Sequence, residues 1–235
     1  MNGRRNHAGP APEPPGPTGA AVGHAIGAIV FRTIYRGRSY GASNVPRSGP
    51  VIYAANHAGF MDGPLVFGLA PRPVHFIVKQ EMFHGPVGRF ISTMGQIPID
   101  RSVADRGALT AALAVLGRDG VVGIFPEGRR GRGDVAEANA GTVWLAITSG
   151  APVIPVAVLG TRRTGQSISG FPPPLRRVAT VFGSPVHVVA PVGVPRRQAM
   201  ADLTEELRRR LSAHVLDASA RLDLPLPSDD QVETA

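Results

Sequence analysis

From Gly49 onward, short β-branched apolar runs alternate with longer segments of helical composition. The run PVIYAAN, residues 50–56, is bounded by Gly-Pro and Asn and predicts a buried strand. GPLVFGLA, 63–70, predicts a short helix, with Pro64 suited to a first turn. VHFIV, 74–78, reads as a strand, HGPVGRFISTMG, 84–95, as a helix, and QIPID, 96–100, as a short strand. Residues 105–120 predict a helix ending at Gly117 or Gly120. A strand over 121–125, a helix over 140–150 and a strand over 152–160 follow. RRVATVFG, 176–183, and VHVV, 186–189, predict a closing pair of strands. Residues 195–222 carry a long amphipathic helix. Upstream, AAVGHAIGAIVFRTIYR, 20–36, predicts one helix, apolar in its first two-thirds and basic at its end.

This alternation predicts a single α/β domain with a parallel or mixed central β-sheet flanked by helices. In such sheets, sites form in loops at the carboxyl ends of strands. The expected division is a Pro/Gly-rich disordered tail over 1–19, an amphipathic or apolar helix over 20–38, the main domain over 39–224, and a flexible tail over 225–235. The longest apolar run, Ala25–Phe31, falls far short of the ~20 residues a spanning helix needs. With no apolar stretch near the start to read as a signal peptide, the expectation is a protein that is not integral to a membrane. The 20–36 helix has two readings, core packing or a helix lying in a membrane interface with Arg32, Arg36 and Arg38 toward anionic headgroups.

Composition narrows the chemistry. The 235 residues are 43% hydrophobic, enough for one sizeable core, and contain no cysteine, which excludes disulfides and thiolate metal sites. Net charge is +8, almost all of it arginine, because Lys79 is the only lysine. A basic surface suits nucleic acid, anionic membrane or phosphorylated substrate. Aromatics make up only 6% of the chain and nowhere interleave with basic residues, so nucleic acid is not the expected partner. Lys79 lies outside any Gly-Lys-Ser/Thr phosphate loop. There is no dinucleotide glycine fingerprint after a strand, no His-Glu-x-x-His and no Gly-x-Ser-x-Gly elbow.

Two strand ends remain. The first, NHAGFMDGP, places His57 five residues before Asp62. On a helix those side chains would lie about 140° apart; a strand end, a turn at Gly59 and a helix start near Gly63-Pro64 could instead fold them together. A carboxylate on one ring nitrogen would fix the tautomer and leave the other free to take a proton. Such a dyad lacks a protein nucleophile and suits activation of a substrate hydroxyl; the alternative is a surface histidine beside a capping aspartate. The second, FPEGRRGRGD, packs Arg129, Arg130 and Arg132 around Glu127. Its glycines permit close backbone approach and its guanidinium forks match phosphate oxygens. A solvated basic loop is the alternative.

His-x-x-x-x-Asp, Gly-x-Ile-Pro-Ile-Asp-Arg (95–101), Phe-Pro-Glu-Gly-x-Arg (125–130) and Val-Ile-Pro-Val-Ala (153–157), in this order, resemble the glycerolipid acyltransferase family. Its best-known members are the 1-acylglycerol-3-phosphate acyltransferases. The resemblance covers about Tyr40 to Val158. It implies a glycerol-3-phosphate acyltransferase-like fold and a membrane-docking helix, for which 20–36 is the candidate. It implies His57 as general base toward the glycerol hydroxyl and Asp62 as its orienting partner. It implies Arg101, Glu127, Gly128, Arg129 and Arg130 at the phosphate and glycerol of the acceptor, with Lys79 assisting there. It implies Val153–Val156 in a strand associated with the acyl donor. No metal or cofactor is implied, acyl-CoA or acyl carrier protein being the co-substrate. The implied partners are a lysophospholipid and an anionic membrane surface, and the implied location is peripheral, on the cytoplasmic face of the cell membrane. Two positions depart from the family pattern: Gly59 stands where Ser is frequent, and Arg129 where Thr is frequent. Acylation of another lysolipid, or lipid binding without catalysis, are the competing readings.

Overall fold

The computed structural model describes residues 15–100 and 105–229. The elements in chain order are α1 (Pro17–Thr33), β1 (Arg36–Tyr40), β2 (Val51–Ala55), α2 (Asp62–Leu69), β3 (His75–Lys79), α3 (Gly85–Thr93) and β4 (Ile97–Ile99). Then follow α4 (Arg106–Leu116), β5 (Val121–Ile124), α5 (Gly141–Ser149), β6 (Val153–Leu159), β7 (Arg177–Phe182) and α6 (Arg196–Leu222). The strands form one mixed sheet, ordered β1-β7-β6-β2-β5-β3-β4. Every neighbouring pair is parallel except β6–β7. This is the α/β architecture that the alternation predicts.

Parallel strands are covered on both faces, which is why β2 and β6 are buried at every position. On one face, Ile52, Ala112, Val115, Leu145 and Leu211 belong to a core formed with α4, α5 and α6. On the other, Tyr53, Leu65, Val66, Phe31 and Phe182 form a core under α1 and α2. Helix α1 comes very close to α2: a Cβ on Gly27 would stand 2.9 Å from the Gly68 Cα. Glycine at both positions permits that approach, and His24 Nδ1 bonds the Phe67 carbonyl at 2.7 Å to lock it.

Three expectations change. Helix α1 begins at Pro17 and stops at Thr33, and Arg36–Tyr40 become an edge strand in register with Arg177–Val181. Their backbone groups pair with β7 across the sheet. Val186–Val189 is no strand, since only Val186 bridges, to Val153. Further along, β6 is already paired by β2 and β7 on its two sides, so no edge remains for another strand. After α6 the chain turns back: Leu224 and Pro227 are buried, and Asp229 reaches Arg162. Of the predicted tails, residues 1–14 and 230–235 lie outside the described residues.

Candidate active site

The carboxyl ends of the parallel strands β2, β5, β3 and β6 converge on one edge of the sheet, and the loops leaving them build the site. Strand β2 ends in Asn56. Its amide donates to the Val158 carbonyl at 3.1 Å and its oxygen accepts the Val158 N–H at 2.6 Å, so it continues the sheet by side chain and fixes where His57 emerges.

The turn at Ala58–Gly59 then brings Asp62 under His57. Asp62 Oδ2 accepts His57 Nδ1–H at 3.0 Å, Ala58 N–H at 2.6 Å and Gly59 N–H at 2.7 Å. Its Oδ1 accepts the Thr161 hydroxyl at 2.5 Å. Four donors therefore converge on one fully buried, acceptor-only carboxylate at the start of α2, where the helix dipole favours negative charge. With Nδ1 committed to Asp62, Nε2 is the nitrogen left to accept a proton. The imidazole stacks on Phe125 at 3.9 Å and 13°, and Phe125 stacks on Phe76. This sandwich fixes the ring plane.

His57 is also held through its backbone. Its N–H donates to Glu127 Oε1 at 2.7 Å, and its carbonyl accepts Gly131 N–H at 3.0 Å. The arginine loop is thus bonded directly to the histidine residue. A close approach makes this possible: Gly133 has φ +70°, and a Cβ there would stand 2.9 Å from the Asn56 amide nitrogen and 3.0 Å from the Ala58 Cβ.

Burial pushes the Glu127 carboxyl up to about 8, with the His57 N–H opposing and Asp134 and Asp62 adding to the rise. The sign of its effect on stability follows from the raised folded value. Between about pH 4.5 and pH 8 the unfolded chain ionises Glu127 while the folded protein keeps the proton. Its contribution is therefore complete below that window and lost as pH rises through it. Glu127→Gln keeps an oxygen for the His57 N–H and removes the titration. Its Tm is expected to fall less than the wild type's between pH 5 and 8; parallel Tm profiles would sink this account.

Two cavities meet at this edge. One, of about 470 Å³, is lined by apolar side chains of α1, α2 and α3, including Ile26, Phe67, Val87 and Phe90, and reaches His57, Phe125, Lys79 and Arg130. Its size is within the range of ligand pockets. The other, about 200 Å³, is polar and lined by Glu127, Arg129, Arg130, Arg132, Asp134 and Glu137. Arg130 lines both. Its guanidinium lies 5.7 Å from the Phe60 ring centre and donates to Ser169 Oγ at 3.4 Å.

The structure brings most of the sequence candidates together. His57 and Asp62 are bonded, and Glu127, Arg129 and Arg130 surround the polar cavity. Gly128, with φ +71°, makes the turn that returns its N–H to the Phe125 carbonyl. Arg129 pairs with Glu137 at 3.0 Å. Lys79, at the end of β3, lines the apolar cavity and not the polar one. Arg101 lies outside the described residues. The Val153–Val156 strand is buried throughout and none of its side chains lines either cavity. Among the described residues, no group of three or more His, Asp or Glu is placed to hold a metal.

Against known proteins, the model of the acyltransferase family matches residues 36–159. The chain belongs to this family. It is 27% identical over 174 residues to the 1-acyl-sn-glycerol-3-phosphate acyltransferase of Bacillus subtilis, covering 73% of this chain and 84% of that one. It is 32% identical over 126 residues to the enzyme of the same name from Borreliella burgdorferi, covering 52% of this chain and half of that one. The fold is similar to that of the 1-acyl-sn-glycerophosphate acyltransferase PlsC from Thermotoga maritima, with a TM-score of 0.60 and 23% identity, over 83% of this chain and 79% of that one. An acyltransferase it is, and the His57 of its His-x-x-x-x-Asp dyad lines the apolar cavity.

Sequence reading missed two residues of this acyltransferase, Thr161 and Arg162, which follow β6. Both are polar and buried. Their position directly after a predicted strand was the available signal, because the other two site loops begin the same way.

Proposed function

We propose that this acyltransferase moves a fatty acyl chain from acyl-CoA or acyl carrier protein to the free hydroxyl of 1-acylglycerol-3-phosphate, giving phosphatidic acid for phospholipid synthesis. The observation that carries the reading is the junction at His57: its ring lines an apolar cavity whose wall also includes Arg130, which in turn lines the polar cavity. An acyl chain fits the first space and a phosphate the second, with the imidazole at the apolar space that Arg130 joins to the polar one. The relatives' names agree with this acceptor.

In the step proposed, His57 Nε2 takes the proton of the acceptor hydroxyl as its oxygen attacks the thioester carbonyl. The new C–O ester bond forms, the C–S bond breaks, and the proton passes to the departing sulfur. Asp62 holds the ring and stabilises the transient imidazolium. No metal or cofactor takes part. Arg129 and Arg130 bind the phosphate as charge-assisted donors.

A panel of lysolipids with purified protein and radiolabelled acyl-CoA tests the acceptor. Lysophosphatidate is expected to be acylated fastest; transfer to a lyso-ornithine lipid in its place would overturn the assignment. Arg130→Ala is expected to raise the acceptor KM about tenfold with a smaller change in kcat, because a phosphate contact binds ground and transition states alike. An unchanged KM would place the phosphate elsewhere.

The reaction is proposed to run at the cytoplasmic face of the cell membrane, with the protein held peripherally. Among the described residues no helix is long and apolar enough to cross a membrane. Val22, Ile26 and Ile29 on α1, Val87 and Phe90 on α3, and Phe171 are nonetheless exposed. Of these, Ile26, Val87, Phe90 and Phe171 also line the apolar cavity. A lipid surface covering this rim would let an acyl chain pass inward without crossing water. Ile26→Glu/Ile29→Glu is expected to reduce sedimentation with anionic vesicles several-fold and leave Tm nearly unchanged. Equal sedimentation would remove this surface as the docking face.

A further inference from the structure

Arg162 is 2% exposed and follows β6 directly. A buried guanidinium is tolerated only when its charge is paired and its donors are satisfied. Here the planar fork spends all of its N–H groups on different parts of the chain. Nε donates to the Ala58 carbonyl at 2.8 Å, inside the turn between His57 and Asp62. Nη2 donates to the Gly131 carbonyl at 3.0 Å, in the arginine loop, and more distantly to the Asp229 carbonyl at 3.5 Å. Nη1 donates to the Gln166 carbonyl at 3.2 Å and to Asp229 Oδ1 at 2.8 Å.

Asp229 supplies the counter-charge from the segment after α6. Its other oxygen accepts the Gly165 N–H at 3.1 Å, and Ser228 beside it bonds Thr164 through both its N–H and its hydroxyl. The residue before Arg162, Thr161, donates to Asp62. One short turn thus grips the carboxylate of the dyad, the backbone of the dyad and the backbone of the arginine loop.

We propose that Arg162, neutralised by Asp229, is a positioning residue that sets the His57–Asp62 turn against the arginine loop and so places the base relative to the bound phosphate. It touches neither substrate. A lysine could keep the ion pair but has no planar fork, and could not bond both carbonyls in this geometry. Misplacement of the base by about 1 Å can lower turnover by roughly 100-fold.

This inference rests on the general-base reading of His57, and its test separates the two. Arg162→Lys is expected to lower kcat 30- to 100-fold, an order set by that misplacement estimate, with the acceptor KM within about threefold of wild type. Asp229→Asn, remote from the cavities, is expected to lower kcat roughly tenfold, and Asp229→Glu to restore most of it. The double variant is expected to be no worse than Arg162→Lys alone, as for residues acting as one unit. A purely structural residue would lower Tm and the active fraction without this split. Turnover within twofold of wild type in Arg162→Lys overturns the proposal; should that variant fail to fold, the same result in Asp229→Asn does so. Imidazole NMR of the full-length protein gives a readout that needs no acceptor. The His57 ring resonances, assigned with His57→Gln, are expected to shift in Arg162→Lys, or in Asp229→Asn if that variant alone folds, and unmoved resonances overturn the proposal even if lysophosphatidate proves to be the wrong acceptor.

Discussion

Replacing His57 by alanine is expected to lower kcat by on the order of 10²–10⁴-fold, the range that positioned acid–base groups contribute, with little change in KM. The fold should survive, because the bonds that place residue 57 are made by its backbone, to Glu127 and from Gly131. Alanine keeps both. What it loses is the Nδ1 bond to Asp62, whose carboxylate keeps its three other donors, and the stack on Phe125, an interaction of about 0.5–1.5 kcal/mol. Turnover with acyl-CoA and lysophosphatidate, beside a thermal melt, checks both halves. A variant that turns over within tenfold of wild type would leave the proton transfer to some other group.

Asp62→Asn should be severe in a different way. The carboxylate accepts from four donors, three on Oδ2 and one on Oδ1. An asparagine amide offers one acceptor and one NH₂ group. If its oxygen faces the His57 turn, its NH₂ meets the Thr161 hydroxyl, which can rotate away. If the amide is reversed, three N–H donors face an NH₂ in a fully buried site. The first orientation is expected, with His57 keeping a weaker, uncharged partner. Loss of the charge that steadies the imidazolium should then lower kcat about 10²- to 10⁴-fold, the upper end matching the serine-protease precedent. Stability should fall by roughly 1–3 kcal/mol, as for a charge-assisted bond replaced in a buried site. The double variant with His57→Ala should be no slower than His57→Ala alone, since the aspartate acts through the ring. Additive losses would mean that Asp62 contributes to turnover independently of His57, against the proposed arrangement.

Much of this architecture was legible along the chain. The runs at 51–55, 121–124 and 153–159 are apolar and rich in β-branched residues because they lie inside a sheet covered on both faces. The helices between them carried their own punctuation: Pro64 in the first turn of α2 and Gly117 and Gly150 at the ends of α4 and α5. His57 and Glu127 stood out because each closely follows such a strand. A turn at the intervening Gly59 made the pairing of His57 with Asp62 one of two options, and the structure bonds them.

Other features depended on partners distant in sequence. Residues 36–40 are polar and follow a helix without punctuation, so nothing local marks them as a strand; Arg177–Phe182 make them one. Glu127 lines the polar cavity, and in addition its carboxyl accepts the His57 N–H, a bond to a residue 70 positions away that no local pattern shows. Arg162 closely follows a strand, but what it does is set by its burial between two loops and Asp229. The apolar cavity has no local signature at all, because its walls come from α1, α2, α3 and the ends of β3 and β5. The sequence by itself determined the order of elements and which strand ends bear chemistry, since periodicity and turn residues act over a few positions. The tertiary structure decided what each polar side chain does, since burial and hydrogen-bond partners are set by residues tens of positions away.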